Sequence, residues 1–196
     1  MSSTQLPRPL PEKMRVEEDE RSLRISWRWF TEQHVLLLLC CLCWNGFLVL
    51  WYGNVRGFRG HVVGWGAVLF PLLHVAAGVW LTYTTLSGLV NRTKVELTTS
   101  ERPGSYRNPS AVTGKLAVRH GPIPWRGNLS LAAEDVRRLF VASRDVKVGK
   151  RGRKIVHDLF AVDRSETPRP LLVGVEHGIA VSVKALLDRR LGLTDG

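Results

Sequence analysis

The stretch VLLLLCCLCWNGFLVLWY, residues 35–52, contains no Asp, Glu, Lys, Arg or His. At 1.5 Å per residue, a helix over this stretch would be roughly 27 Å long, close to the hydrocarbon thickness of a bilayer. A second apolar run, VVGWGAVLFPLLHVAAGVWLTYTTLSGLV at residues 62–90, contains one histidine and no other charged side chain. The two runs predict transmembrane helices at about 34–52 and 62–88, joined by a short glycine-rich turn into a hairpin over 34–90.

The flanks of the first run disfavour a signal peptide. About thirty mostly polar residues precede the run, and no small-residue cleavage site follows it. We therefore expect both helices to be retained in the membrane.

The chain's three cysteines, Cys40, Cys41 and Cys43, all fall in the middle of the first run. A thiolate or a bound ion would be poorly solvated at this depth, and palmitoylation favours cysteines at the membrane edge. Close neighbours on one helix also have poor geometry for a disulfide. We expect these cysteines to act as small apolar packing groups, and we predict no metal site and no cofactor.

Asn45 and His74 are polar residues that the predicted helices place near the bilayer midplane. Polar groups in hydrocarbon need partners, so the two side chains are predicted to form an intramembrane polar pair across the hairpin. Such a pair contributes to helix packing. The alternative is that His74 is a proton or ligand site.

The formal net charge of +11 is concentrated in the C-terminal half, where residues 91–196 contain twenty basic and eleven acidic side chains. Basic residues also flank the apolar runs unevenly, with four before the first helix, two in the connection and four after the second helix. They are Arg15, Arg21, Arg24, Arg28, Arg56, Arg59, Arg92, Lys94, Arg102 and Arg107. Because Lys and Arg resist translocation, this pattern predicts an inner (plasma) membrane protein with both termini in the cytoplasm.

The N-terminal segment divides at about residue 20. Residues 1–20 include prolines and the acidic cluster EEDE, and we expect them to form a disordered tail. In residues 21–33, the sequence LRISWRW alternates apolar and polar side chains, which is the period of a strand with one buried face. The segment either pairs with the C-terminal sheet or anchors the chain at the membrane interface through its tryptophans.

Residues 91–196 change to short β-branched runs separated by turn residues, which predicts five or six antiparallel strands. The last segment, GIAVSVKALLDRRLG, places apolar residues on one helical face, with Gly192 as a C-cap. They are Ile179, Val183, Leu186, Leu187 and Leu191. The predicted fold class is α+β: a two-helix transmembrane hairpin followed by a small antiparallel β domain, closed by a C-terminal helix.

Three short motifs carry a family resemblance: FPLLH at 70–74, LVNRT at 89–93 and VRHGPIPWRGN at 118–128. With these motifs the chain resembles a group of uncharacterised bacterial two-pass membrane proteins over residues 22–192. The layout is also similar to that of bacterial pleckstrin-homology-like (PH-like) membrane-flanked domains. Neither resemblance implies a known activity, so no catalytic residue is carried over.

The segment KVGKRGRK, residues 147–154, contains five basic residues around two glycines and no acid. They are Lys147, Lys150, Arg151, Arg153 and Lys154. It is predicted to be a basic hairpin tip that contacts anionic lipid headgroups or a partner. A solvated loop without function is the alternative, and the absence of interleaved aromatic residues disfavours nucleic acid.

His120, His157 and His177 lie in separate segments without metal-ligand spacing, and no nucleophile or phosphate-binding motif occurs. We therefore predict a protein that is not an enzyme. The preferred function is a membrane protein whose basic cytoplasmic PH-like domain binds lipid headgroups or a partner protein. The alternative is a non-catalytic membrane subunit of a transporter or other assembly, with a membrane protein or a second copy as partner.

Overall fold

The computed structural model describes residues 10–57, 65–100, 113–148 and 152–193, and in these residues the chain is α+β. Three α-helices are present there: α1 (Gln33–Gly57), α2 (Trp65–Val90) and α3 (His177–Leu191). The strands are β1 (Met14–Glu18), β2 (Ser22–Arg28), β3 (Arg92–Ser100), β4 (Thr113–Gly121), β5 (Leu129–Ala132), β6 (Arg138–Val148), β7 (Gly152–Val162) and β8 (Pro168–Val175).

The strands form two antiparallel sheets. Sheet A has the order β1-β2-β3-β4-β5, and sheet B has the order β6-β7-β8. The described chain divides into two units. The helical unit consists of Trp29–Asn91 with Gly121–Ile123, and the β unit contains both sheets and α3.

The alternating segment before α1 is a strand of sheet A. Leu23, Ile25 and Trp27 are buried in β2, while the residues between them face outward. β2 pairs with β3 along its whole length, so the predicted pairing of this segment with the C-terminal region is confirmed. The tryptophan at 27 belongs to the core and is not an interfacial anchor.

The core of the β unit lies among the two sheets and α3. On α3 the predicted apolar face is confirmed, because Ile179, Val183, Leu186 and Leu187 are all buried. Gly192 ends the helix in the left-handed conformation with φ 67°, as its C-cap position predicted. The six strands β3 to β8 also agree with the predicted number for this region.

Three expectations about the order of the chain need correction. The helices are not simply followed by a β domain, because β1 and β2 precede α1 and belong to sheet A. A domain boundary at residue 91 would therefore divide a sheet. The predicted tail over residues 1–20 is wrong for Met14–Glu18, which form β1, while residues 1–9 lie outside the described residues.

The acidic cluster that suggested disorder is bound by the end of α3. Arg189 forms an ion pair with Glu18 at 2.5 Å, and Arg190 donates hydrogen bonds to the carbonyl oxygens of Asp19 and Glu20. These contacts join parts of the chain about 170 residues apart in sequence. Short-range composition carries no information about such partners, and this is why the tail prediction failed.

In the helical unit, α1 and α2 pack side by side in opposite directions. His34 lies near Gly88, Cys41 contacts Thr82, and Trp44 contacts His74, so positions rise on one helix as they fall on the other. α1 continues to Gly57, five residues beyond its predicted end at 52, and α2 ends at Val90. Residues 53–57 of the predicted turn are therefore helical, and residues 58–64, which include the rest of that turn, lie outside the described residues.

Candidate functional site

The predicted basic tip lies at the end of a long β-hairpin in sheet B. β6 and β7 pair without interruption from Arg138 opposite Val162 to Val148 opposite Gly152. Near the tip, Lys147 is directly opposite Arg153, and Lys154 is opposite Val146. All three basic side chains are exposed. Lys150 and Arg151, the other two predicted contact residues, lie outside the described residues.

The basic side chains described at this hairpin end have no acidic partner among the described residues. Within the described parts of the chain, Lys147, Arg153 and Lys154 form no ion pair, whereas Arg144 of the same hairpin pairs with Asp158 at 3.1 Å. The nearest acid on the same face, Asp145, lies one row further from the tip, opposite Ile155. Like charges directly opposite each other on adjacent strands are destabilising. A bound anion would relieve this repulsion.

An apolar side chain accompanies the basic residues. Ile155 is 61 % exposed and shares a strand face with Arg153, two positions away. Lipid headgroups lie beside acyl chains, so a surface that combines cations with an exposed aliphatic group fits a membrane interface.

The helical unit contains a hydrogen-bonded cluster of small and polar residues between α1 and α2. Asn45 donates from Nδ2 to Thr82 Oγ1 at 3.1 Å and to the Cys41 carbonyl at 2.8 Å. Thr82 Oγ1 donates to the Gly78 carbonyl at 2.7 Å. Cys41 Sγ lies 3.3 Å from Thr82 Oγ1. The Asn45 amide therefore donates both to Thr82 across the interface and to its own helix.

The other predicted member of the intramembrane pair, His74, lies against an aromatic side chain. Its ring stacks on Trp44 with a centroid separation of 5.6 Å, and its carbonyl accepts a hydrogen bond from Trp44 Nε1 at 3.0 Å. Asn45 and His74 thus both face the partner helix. The cross-helix partner of the Asn45 amide is Thr82, which the sequence argument had not considered.

The cysteines have different environments on α1. Cys41 is buried in the cluster with Asn45 and Thr82, while Cys40 and Cys43 are exposed on the helix surface. In the described residues, no group of three or more His, Cys, Asp or Glu side chains is arranged to hold a metal ion.

Asn91 makes a hydrogen-bonded contact that the sequence did not predict. This residue directly follows α2 and is fully buried. Its side-chain amide donates to the Ile123 carbonyl at 3.0 Å, and the Ile123 N–H donates to Asn91 Oδ1 at 2.8 Å. The two partners belong to the motifs LVNRT and HGPIPWRGN, so one hydrogen-bonded contact joins two of the three stretches that carry the family resemblance.

The same motif region fixes a partly buried histidine in the β unit. Thr93 Oγ1 and His120 Nδ1 are 2.9 Å apart, and the His120 N–H donates to Asn128 Oδ1 at 2.7 Å. Burial lowers the pKa of His120 below its ordinary 6.5, and a hydrogen bond with the Gly127 backbone acts in the opposite direction. The neutral imidazole is thus the favoured form in this structural position.

Two of the histidines that are distant in sequence meet in the fold. The rings of His157 on β7 and His177 at the start of α3 have centroids 4.6 Å apart. His157 Nδ1 also lies 3.0 Å from Ser143 Oγ on β6. The contacts described for His120 are with other residues, among them Thr93 and Asn128.

Comparison of the chain with models of known protein families and with curated proteins gave no match.

Proposed function

We propose that this chain is a two-pass membrane protein whose β unit binds anionic lipid headgroups through the basic end of the β6–β7 hairpin. Two helices in the described residues, Gln33–Asn54 and Leu72–Val90, are long and apolar enough to span a bilayer. Large apolar side chains cover their outer surfaces, and Leu73 is 76 % and Val49 72 % exposed. A core helix of a water-soluble protein would bury such side chains.

The pairing of β2 with β3 supports an even number of membrane crossings. Arg28 at the end of β2 is the cross-strand partner of Arg92 at the start of β3, and the whole helical segment lies between them in sequence. Both ends of that segment must then be on the same side of a membrane. Two antiparallel helices satisfy this requirement.

The same pairing argues against α1 as a cleaved signal sequence. Cleavage after α1 would remove β1 and β2, and with them the buried residues Leu23, Ile25 and Trp27. The core of the β unit would lose these buried side chains, and β3 would become an exposed edge strand of sheet A.

The sidedness of the proposal comes from the basic residues near the helix ends. Their distribution of four, two and four supports a bacterial inner-membrane location with both termini and the β unit in the cytoplasm. There the anionic leaflet attracts basic side chains with about 1 kcal/mol per residue close to the surface.

The observation that carries the lipid-binding proposal is the cross-strand pair Lys147 and Arg153. The two like charges face each other and are exposed. Lys154, the next residue, lies on the opposite face of the hairpin. Ile155, on the same strand as Arg153, adds an exposed aliphatic side chain. A PH-like assignment is part of the proposal, and its support is the pair of antiparallel sheets with a C-terminal helix. We propose a binding function without catalysis, and a partner protein that presents acidic groups is the competing occupant of the hairpin end.

The alternative role as a membrane subunit of a transporter has less support. It would assign function to Asn45 and His74, but the side-chain N–H groups of Asn45 are already bonded within the helix pair. This geometry favours a packing role for the cluster.

Vesicle binding by the full-length protein tests the proposal. The protein is held in phosphatidylcholine nanodiscs and mixed with sedimentable vesicles of phosphatidylcholine, with or without phosphatidylglycerol. We expect binding only to the anionic vesicles. The variant Lys147→Gln/Arg153→Gln should bind about thirtyfold more weakly, because two basic residues near the surface contribute about 1 kcal/mol each.

The matched control is Lys115→Gln/Arg137→Gln, which removes the same two residue types from other exposed positions of the β unit. If the two variants lose binding equally, the effect is one of net charge and the assignment to the hairpin is wrong. If the wild-type protein binds both vesicle types alike, the lipid function itself is wrong.

A further inference from the structure

Sheet A has two rows of basic side chains at the end where β2 and β3 connect to α1 and α2. In the row at the end of the sheet, Arg28 is directly opposite Arg92. In the next row on the same face, Arg15 is opposite Ser26, and Ser26 is opposite Lys94. The four basic side chains are all exposed.

Strand β4 adds another basic residue to this face. β4 neighbours β3, and the contact of Thr93 Oγ1 with His120 Nδ1 at 2.9 Å aligns the ends of the two strands. Because side chains alternate along a strand, Lys94 and Arg119 both lie on the face opposite Thr93 and His120. Arg119 is exposed as well.

The charge on this face is segregated along the strands. One row further from the helices, Arg24 forms an ion pair with Glu96 at 2.9 Å, and Glu17 lies opposite Arg24 on the other side. The two end rows, by contrast, contain no acidic residue. The basic residues of these rows, hereafter the juxtamembrane basic face, are Arg15, Arg28, Arg92, Lys94 and Arg119.

Among the described residues, no acidic side chain pairs with the juxtamembrane basic face. In the part of the chain that the structure describes, none of its five members forms an ion pair. The direct Arg28–Arg92 pairing places like charges across adjacent strands, which is destabilising without a counter-ion. An anion between the guanidinium groups would convert this repulsion into attraction.

The chain itself limits how far these residues are from the helices. Arg92 is the second residue after Val90, where α2 ends, and Arg28 is the fifth residue before Gln33, where α1 begins. At up to about 3.6 Å per residue, Arg92 is within about 7 Å of the end of α2. The headgroup layer is about 5 to 7 Å thick on each side, and electrostatic attraction extends over about 8 to 10 Å at physiological salt.

We propose that the juxtamembrane basic face binds the phosphate groups of anionic phospholipids. Access to lipid rests on the proposed two-pass membrane function. Arginine suits this ligand because its planar guanidinium group binds phosphate oxygens in a bidentate manner. The short chain distance from the end of α2 limits how far Arg92 can lie from the headgroups, and no such limit applies to the hairpin end with Lys147 and Arg153.

Lipid retention by the full-length protein tests this site. The protein is reconstituted in nanodiscs of equal parts phosphatidylcholine and phosphatidylglycerol and transferred to mild detergent, and the retained lipids are counted by native mass spectrometry. The wild-type protein should be enriched in phosphatidylglycerol. The variant Arg28→Gln/Arg92→Gln/Lys94→Gln should reduce this enrichment about fivefold or more, the effect of even one basic residue near the surface.

Two further variants separate charge from folding. Arg24→Gln/Glu96→Gln alters the same strands without a net charge change and should retain the enrichment. Arg28→Lys/Arg92→Lys keeps the charge and should retain most of it. If the neutralised variant keeps its full enrichment, or if the Arg24→Gln/Glu96→Gln control loses it equally, the proposed site is wrong.

Two additional measurements separate the lipid site from other outcomes. If inorganic phosphate raises the melting temperature of the wild-type protein in detergent as much as phosphatidylglycerol does, the face is a site for free phosphate and the lipid assignment is wrong. Carbonate extraction is done in parallel. Release of the protein from membranes would contradict the proposed function, whereas an integral protein without anionic lipid enrichment would contradict this site alone.

Discussion

Asn91 and Ile123 hold each other through two hydrogen bonds, from the asparagine amide to the isoleucine carbonyl at 3.0 Å and from the isoleucine N–H to Asn91 Oδ1 at 2.8 Å. Asn91 follows the end of α2, and Ile123 lies in the connection between β4 and β5. A side chain thus satisfies both backbone groups of a loop residue in the way a neighbouring strand would. This contact explains why an asparagine stands at this position in LVNRT.

Replacement of Asn91 by leucine should destabilise the protein by about 2 to 4 kcal/mol, because two backbone groups lose their partners in a buried position. Thermal unfolding in detergent measures the change. Asn128→Ala is the control, since it removes one hydrogen bond at an exposed position and should cost about 0.5 to 1.5 kcal/mol. Equal effects of the two variants would contradict the role given to Asn91.

Gly88 lies where α2 packs closely against α1. A Cβ at this position would lie 2.0 Å from His34 Nε2, and His34 is itself held by the Thr31 N–H, which donates to its Nδ1 at 3.1 Å. Gly88→Ala should lower the melting temperature in detergent, because the His34 ring must leave its place. Gly46→Ala, where a Cβ meets nothing within 4 Å, should be neutral or slightly stabilising.

The double variant Gly88→Ala/His34→Ala checks the cause of this effect. Removal of the ring makes room for the added methyl group, so the second substitution should recover part of the lost stability. If the stability lost through His34→Ala simply adds to that lost through Gly88→Ala, a clash with the His34 ring does not cause the effect of Gly88→Ala.

The hydrogen bond between Asn45 and Thr82 should contribute about 0.6 to 2 kcal/mol to the association of α1 and α2. A double-mutant cycle with Asn45→Leu and Thr82→Val, followed by unfolding in mixed micelles, measures the coupling directly. Thr84→Val is the control, because Thr84 Oγ1 bonds only to carbonyls of its own helix among the described contacts. If the effects of Asn45→Leu and Thr82→Val on stability are additive, the two side chains are not coupled and the predicted contribution of their hydrogen bond is wrong.

His120 should make stability depend on pH. Its pKa is lowered in the folded protein by burial, so the unfolded chain binds more protons than the folded one in the window just below its ordinary 6.5. The free energy of unfolding therefore falls as the pH drops through this window. The melting temperature of the wild-type protein should decrease more between about pH 7 and pH 5 than that of His120→Gln. Parallel curves would show that His120 does not titrate differently on unfolding.

Local periodicity predicted the elements of this fold that depend on neighbours in sequence. The alternation from Leu23 to Trp27 gave β2, the apolar face from Ile179 to Leu187 gave α3, and the uncharged runs gave the two long helices. β1 was missed, because its pattern is short and adjoins the acidic cluster EEDE. β1 pairs with β2, the next element in the sequence, but its ion pair with the end of α3 joins residues 171 positions apart, which no local pattern predicts.

In the candidate sites, too, local sequence predicted the composition, whereas contacts between distant residues could not be predicted. The composition of KVGKRGRK identified a basic hairpin end, but only the strand register shows that Lys147 faces Arg153. The contacts of Asn91 with Ile123 and of His157 with His177 join residues 32 and 20 positions apart. A polar residue directly after an apolar helix was the one available signal for Asn91, and it carried no indication of the partner.

The central claim, a two-pass protein with its β unit on the cytoplasmic side, is tested most directly by topology reporters in the full-length chain. Fusions are placed after Thr4, Arg59 and Asp195, and each is assayed for activity inside and outside the cell. The account predicts cytoplasmic reporters at Thr4 and Asp195 and an external reporter at Arg59. Reporters on opposite sides at Thr4 and Asp195 would contradict it, because β2 and β3 are paired strands of one sheet and must lie on one side of the membrane.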